Sequence, residues 1–311
     1  RLIRHLSSSS GLQWMRGQQD GCRTTIETQV EECVRGFFQE AGETGGMGLD
    51  PERWPKVEQF CRKMLVQEET QDSAPPSKEE EEEFYVGWTT APYYVFLSRL
   101  LVDWAANEQA PVHRLKSAVE GMIETGSAVS WLDPLTPQVV ETLSEDKVST
   151  LNLEDIRKLL DSIGGVQGIL LLMGLRRTAG SVLECPPTRA ECVESFTRQA
   201  GPRALLSVGA KALSKHSHRC SAQWWGPSPT GGDPVKNSAA LAALDQILNG
   251  CVWMNLHYLP HDVVVLEIRH PTGYGARWSY SGRSDTTEET MSFRGFLEPH
   301  MADGHERGWR H

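Results

Sequence analysis

Apolar residues recur at helical spacing through most of the first two hundred positions. Residues 25–39 place Ile26, Val30 and Phe37 on one side of a helix, with polar residues between them. Residues 92–106 repeat this pattern with a larger share of apolar side chains. Such helices are stable when their apolar stripes pack against one another. The pattern therefore predicts that the middle of the chain is a helical bundle.

Proline and glycine divide the helical stretches from one another. Proline is tolerated in a first helical turn, because the N–H that it lacks would have no partner there. We therefore expect helices to begin near Pro51 and after Pro186–Pro187. The remaining apolar stretches predict helices over 111–124, 137–145, 153–162, 165–174, 203–217 and 236–249.

The pattern changes after Asn249–Gly250, where four short segments of strand type follow in succession. The turns between the first three are short and contain proline, and a polar loop precedes the last. Short turns between consecutive strands indicate an antiparallel meander. The fold class is therefore predicted to be α+β, with a helical N-terminal region followed by a C-terminal domain whose meander sheet packs on helices. The predicted strands are 251–258, 262–269, 274–280 and 293–298.

Composition divides the chain further. The first 24 residues are rich in Arg and Ser, as in a transit peptide or a disordered tail. The acidic, proline-containing stretch 67–83 has few apolar groups, which is typical of a solvated linker. The predicted units are a disordered or targeting segment (1–24), a helical segment (25–66), the linker (67–83), a helical region (84–180) and an α+β domain (181–311).

Charge is distributed unevenly along the chain, whose formal net charge is −10. Residues 201–311 hold 11 Lys or Arg and 10 Asp or Glu, so the acidic excess lies in the first 200 residues. An acidic surface repels phosphate, and we therefore do not expect nucleic acid to be a partner. No apolar stretch is long enough to span a membrane, so we expect no membrane association.

Seven scattered cysteines show neither a CxxC pair nor zinc-finger spacing. This usage suits a reducing compartment. The expected location is the cytoplasm, or the mitochondrion or plastid if the first residues are a transit peptide.

Side chains alternate across a strand, so each predicted strand has two faces. One face of the sheet is apolar and is expected to pack on the helices. The other face gathers polar and charged groups from all four strands, namely Asn255, His257, Glu267, Arg269, Arg277, Arg294 and Glu298.

This charged face could hold a ligand. Arginine presents a planar fork of donors that matches carboxylate or phosphate. His257 and Glu267 are the candidate catalytic residues, since a neighbouring charge can tune either group as an acid or base. Two other interpretations stay open: solvated cross-strand ion pairs, or a protein interface. The candidate ligand-binding residues are Lys215, His216, Trp224, Arg269, Arg277, Arg294, Glu298 and His305.

Basic residues next to tryptophans form a second cluster, between Ala210 and Gly226. Lys215 and His216 could contact a phosphate, and Trp224 could stack on a base or sugar. A helix C-terminus attracts basic residues through its dipole alone, which is the alternative interpretation. No compact metal-binding motif is present, so we assign no metal site, and the sequence indicates no particular cofactor.

Several pieces of the last 125 residues resemble a domain family of plants, algae and other eukaryotes to which no activity is assigned. The most specific pieces are GYGARW at 273–278 and GFLEP at 295–299, followed by DGH at 303–305. The resemblance implies a shared domain and a eukaryotic source, and it supplies no catalytic residue.

Two functions remain open from sequence alone. In the first, the α+β domain binds, or acts on, an anionic small molecule or nucleotide at the charged face. In the second, the chain is a non-enzymatic interaction module whose helical region binds a protein partner. Whether the protein is an enzyme stays open at this point.

Overall fold

The computed structural model describes residues 9–46, 48–67, 92–115, 119–216, 224–227, 229–281 and 290–300, with side chains from residue 25 onward except those of 280, 281 and 290. The predicted α+β class is confirmed: helices fill the first part of the chain, and a single antiparallel sheet follows. None of the helices in these ranges is long and apolar enough to cross a membrane.

The N-terminal helices pack into a bundle around a buried apolar core. Capping boxes show why two helices of the chain begin where they do. Asn152 caps one helix through a capping box with Asp155, and Thr188 caps another in the same way with Glu191. The helices up to residue 172 are α1 (Ser9–Glu43), α2 (Val57–Leu65), α3 (Tyr93–Asn107), α4 (Ala128–Leu132), α5 (Thr136–Thr142), α6 (Glu145–Val148), α7 (Leu153–Ser162) and α8 (Val166–Leu172).

The predicted helix over 111–124 is wrong. Pro111–Arg114 forms a short 3-10 helix, and residues 119–127 continue without a helix. Gly121 adopts a φ of +81°, which lies in the left-handed region and is incompatible with a right-handed helix. Most of the predicted linker and part of the predicted first segment lie outside the described residues.

Three helices lead to the sheet and cover one of its faces: α9 (Arg189–Thr197), α10 (Val208–His216) and α11 (Asp233–Asn249). The sheet follows as β1 (Trp253–Leu259), β2 (Val263–Arg269), β3 (Gly275–Ser281) and β4 (Thr290–Leu297), in the order β1-β2-β3-β4 with all neighbours antiparallel. The predicted meander is therefore confirmed.

The face that packs on the helices is the apolar one. Trp278 is fully buried and its indole N–H donates to the carbonyl of Cys192 in α9, at 3.2 Å. Phe196 of the same helix contacts the rings of Phe293 and Phe296. This packing fixes the phase of the strands, because a shift by one residue would bring the charged side chains into the core.

The outer edge of β1 is covered by residues 175–182, a segment for which the sequence predicts no strand. Its backbone bonds to β1 at three points: Arg176 N–H to Met254, Val182 N–H to Leu256, and Tyr258 N–H to Gly180. Such a cover protects an edge that would otherwise offer unpaired backbone groups. It also brings the polar residues Thr178 and Ser181 next to the sheet.

Candidate functional site

Strand register brings four of the predicted residues together on the face opposite to the helices. Glu267 in the middle of β2 stands opposite Asn255 on one side and Arg277 on the other. His257 and Arg269 lie two residues further along β1 and β2, and so point to the same face. We call Glu267, Arg269, Arg277 and His257 the carboxylate cluster.

Glu267 is the centre of the carboxylate cluster. Arg269 Nε donates to Glu267 Oε1 at 2.7 Å, while Arg277 Nε and Nη2 donate to Oε2 at 3.1 and 2.5 Å. His257 Nε2 lies 3.4 Å from the same Oε2. One carboxylate therefore holds two arginines and a histidine, with both of its oxygens engaged.

The cluster is open on one side. The side chains of Glu267 and Arg269 are 4% and 7% exposed, whereas those of His257 and Arg277 are 16% and 26% exposed. Incoming ligand would therefore reach the imidazole and the Arg277 guanidinium first, and Glu267 lies behind them.

Two opposing effects set the protonation state of Glu267. Burial raises the pKa of this carboxyl group, but the hydrogen bond with His257 and the charges of Arg269 and Arg277 outweigh burial. The pKa of Glu267 is therefore held well below its ordinary value of 4.5. The group is an anion at neutral pH and can accept a proton but not donate one.

Arg269 has a second function, because it ties β2 to the end of β4. Its Nη1 donates to the carbonyls of Gly273 and Glu298, at 2.7 and 2.8 Å. Gly275 stands opposite Arg269 in β3, and a Cβ there would lie 2.9 Å from Arg269 Cδ and 2.1 Å from the Ile268 carbonyl oxygen. The second glycine of the GYGARW piece, Gly275, thus leaves the space that the Arg269 side chain occupies.

A second cluster lies at the edge of the sheet, where the β2–β3 turn meets the end of β4. Glu298 Oε1 lies 2.9 Å from His216 Nδ1 and accepts a hydrogen bond from Trp225 Nε1 at 3.0 Å. Trp224 stacks on Tyr274, with ring centroids 4.5 Å apart and planes inclined by 8°. We call His216, Trp224, Trp225, Tyr274 and Glu298 the aromatic cluster.

The remaining predicted site residues lie elsewhere. A β-bulge between Arg277 and Trp278 leaves Arg294 as an extra residue of β4, exposed and outside the carboxylate cluster. Lys215 is exposed in the last turn of α10. Glu298 contributes only its backbone carbonyl near Arg269, since its side chain belongs to the aromatic cluster. His305 lies outside the described residues.

A polar network beside the carboxylate cluster could not be found from the sequence. Asn255 is buried, its amide donates to Thr178 Oγ1 at 2.9 Å, and Ser181 Oγ donates to Asn255 Oδ1 at 2.7 Å. Thr178 and Ser181 carry no motif, and only the segment that covers β1 brings them here. The network fixes Asn255 next to Glu267 and so supports the wall of the site.

No group of three or more His, Cys, Asp or Glu side chains within the described ranges could hold a metal ion. The chemistry that these groups offer is anion binding by the two guanidinium groups and proton transfer by the imidazole and the carboxylate.

Comparison with known families gives one result for this region. A family model of the CdiA C-terminal tRNase toxin domain matches residues 197–298. The matched range contains every member of both clusters. Neither a curated protein nor a solved structure matches the chain.

The match corrects one prediction and agrees with another. It is compatible with action on a nucleotide-like molecule, but it overturns the expectation that nucleic acid is not a partner. That expectation relied on net charge, and the negative charge belongs mainly to the first 200 residues. The two arginines of the carboxylate cluster are a local concentration of positive charge that the net charge does not reveal.

Proposed function

We propose that residues 197–298 form an RNA-cleaving domain whose site is the carboxylate cluster. The observation that carries this proposal is a buried carboxylate held by two arginines and a histidine, inside the range that matches a tRNase model. The same side chains offer the three functions that cleavage of a phosphodiester needs: a proton acceptor, a proton donor and a cation for the phosphate.

Phosphate binds first through Arg277, the more exposed of the two arginines. Some of the N–H groups of Arg277 then donate to the phosphate oxygens instead of Glu267. Arg269 keeps its hydrogen bonds to Glu267 Oε1 and to the backbone. The phosphate also brings negative charge next to Glu267. Both changes raise the pKa of this carboxylate and make it a stronger base when substrate is present.

The reaction is an internal transfer that needs no other reactant. Glu267 removes the proton of a ribose 2′-hydroxyl, whose oxygen attacks the adjacent phosphorus and forms a P–O2′ bond. The P–O5′ bond breaks, and His257 in its protonated form donates its proton to the leaving O5′. The products are a 2′,3′-cyclic phosphate and a free 5′-hydroxyl. Arg277 stabilises the charge on the pentacovalent phosphorus.

Incubation of the purified protein with end-labelled tRNA tests the proposal. We expect the wild type to cut the tRNA, and we expect Glu267→Gln and His257→Ala to lower the rate by about 10²–10⁴-fold each, as for other general acids and bases. Arg277→Lys keeps the charge but loses the fork, and is expected to be impaired as well.

Matched controls come from the helical region. Glu154 and Arg157 form a similar two-bond ion pair on the surface of α7, and His113 pairs with Asp133. Glu154→Gln, Arg157→Lys and His113→Ala should cut tRNA at the wild-type rate. Intact tRNA with the wild type, or equal activity of Glu267→Gln, would refute the proposal.

A further inference from the structure

The aromatic cluster differs from an ordinary apolar core in that it contains a carboxylate and is partly open. Trp225 and Tyr274 are buried, whereas Trp224, His216 and Glu298 are half-buried. From this cluster we infer a subsite for a single unstacked RNA base that carries an exocyclic amino group. The inference rests on the proposed function and specifies which nucleotides that site prefers.

Stacking is the first reason. Proteins that recognise single-stranded RNA stack its bases on aromatic side chains and bond the edges of those bases with polar groups. The parallel rings of Trp224 and Tyr274 form a flat double layer, and Trp224 is its more exposed member. Trp225 stands edge-on to both rings and holds the layer in place.

The unused oxygen of Glu298 is the second reason. His216 and Trp225 both contact Oε1, and no lysine or arginine in the described part of the chain pairs with this carboxylate. Glu267 differs, because two arginines compensate its charge. Oε2 of Glu298 therefore remains as an acceptor for an external N–H group.

The carboxylate also selects among the bases. Adenine, cytosine and guanine each present an exocyclic amino group, which donates to a carboxylate. Uracil presents an N–H that lies between two carbonyl oxygens, and a carboxylate repels both. A matching attraction and repulsion of this kind gives specificity.

Arg269 connects this subsite to the carboxylate cluster. One side chain donates to Glu267 Oε1 through Nε and to the Glu298 carbonyl through Nη1. The main chain of Glu298 therefore borders the carboxylate cluster, and an RNA strand that passes around this end of the sheet can occupy both sites. The base bound on Trp224 then determines which phosphodiester meets Glu267.

Isothermal titration calorimetry with cytidine 5′-monophosphate and uridine 5′-monophosphate tests the inference, because the two bases differ in a 4-amino and a 4-oxo group. We expect the wild type to bind the cytidine nucleotide about tenfold more tightly, the ratio that corresponds to 1.4 kcal/mol. Glu298→Gln should abolish or reverse this preference, since an amide also donates to the 4-oxo group. Trp224→Ala should weaken both nucleotides equally.

Glu154→Gln serves as the control and should keep the wild-type preference. Equal binding of the two nucleotides to the wild type, or an unchanged ratio in Glu298→Gln, would overturn the subsite. Cleavage of tRNA is measured in parallel. Cleavage without nucleotide preference refutes the subsite alone, whereas preference without cleavage supports the subsite and refutes the proposed function.

Discussion

Two glutamate–arginine ion pairs of this molecule differ in their surroundings, one exposed on a helix and one buried in the sheet. In α7, Arg157 donates two hydrogen bonds to Glu154 at 2.6 and 2.7 Å, and both side chains are about half in solvent, at 35% and 48% exposure. In the sheet, Glu267 receives equally short bonds but is 4% exposed. The difference lies in burial and not in bond geometry.

This difference in burial indicates which of the two pairs is the better candidate for a function. Exposed ion pairs contribute little to stability, because water already solvates both charges. A buried pair must first be desolvated, and apolar residues of the same size often stabilise a protein as well or better. Buried charges in the middle of a sheet are therefore a reason to look for a function, whereas the pair on α7 is not.

The largest effect on stability is expected when the carboxylate of Glu267 is removed. Glu267→Ala leaves two buried or half-buried guanidinium groups without their partner and should lower the free energy of unfolding by about 3–5 kcal/mol. Glu154→Ala should leave Tm unchanged. Chemical denaturation followed by circular dichroism measures both, and equal effects of the two substitutions would contradict the distinction.

A smaller effect is expected where the sheet makes room for Arg269. In Gly275→Ala the new Cβ meets the Ile268 carbonyl oxygen, so strands β2 and β3 must move apart. We expect the free energy of unfolding to fall by about 1–3 kcal/mol, as at other overpacked sites. Gly201→Ala is the control, since a Cβ there meets nothing within 4 Å. Wild-type stability of Gly275→Ala would show that Arg269 does not depend on this glycine.

Acid should weaken the carboxylate cluster. The pKa of Glu267 is depressed in the folded state, so its contribution is present above the unfolded value of 4.5 and is lost as pH falls from there towards the folded value. Between pH 4.5 and 3.5 the wild type should lose about 1 kcal/mol more than Glu267→Gln, because the unfolded carboxyl group is half protonated at the upper end of this range. Parallel stability–pH curves of the two proteins would contradict this.

The smallest effects on stability are expected at the two capping boxes. Asn152→Ala removes an exposed cap from α7 and should lower stability by about 1 kcal/mol. Thr188→Ala removes a buried cap from α9 and takes the acceptor from the part-buried N–H of Glu191, so its effect should be the larger of the two. Urea denaturation of both variants gives the order, and an inverse order would be inconsistent with burial as the cause.

Sequence predicted the meander and the common face of His257, Glu267, Arg269 and Arg277, because a strand has a period of two residues and turn residues mark its ends. The two-residue period predicted the wrong position for Arg294, because a bulge adds one residue to β4 and shifts the alternation of its side chains. Periodicity also could not place Glu298, which lies just beyond the end of β4 and turns to His216.

Long-range contacts account for the other differences. The cover of β1 by residues 175–182 depends on backbone pairing with distant residues and leaves no periodic pattern. The helix predicted over 111–124 had suitable apolar spacing but contained Gly121 in a left-handed conformation. The expectation from net charge was wrong because the sum runs over 311 residues, and two arginines in one cluster hardly change it.

We propose above that the carboxylate cluster cleaves RNA through the ribose 2′-hydroxyl. Two oligonucleotides of one sequence test it most directly, one with 2′-hydroxyl groups throughout and one with 2′-O-methyl groups in their place, each analysed by mass spectrometry after incubation with the wild type. We expect that only the first is cut and that its fragments end in a 2′,3′-cyclic phosphate. Cleavage of both oligonucleotides, or of neither, would contradict it.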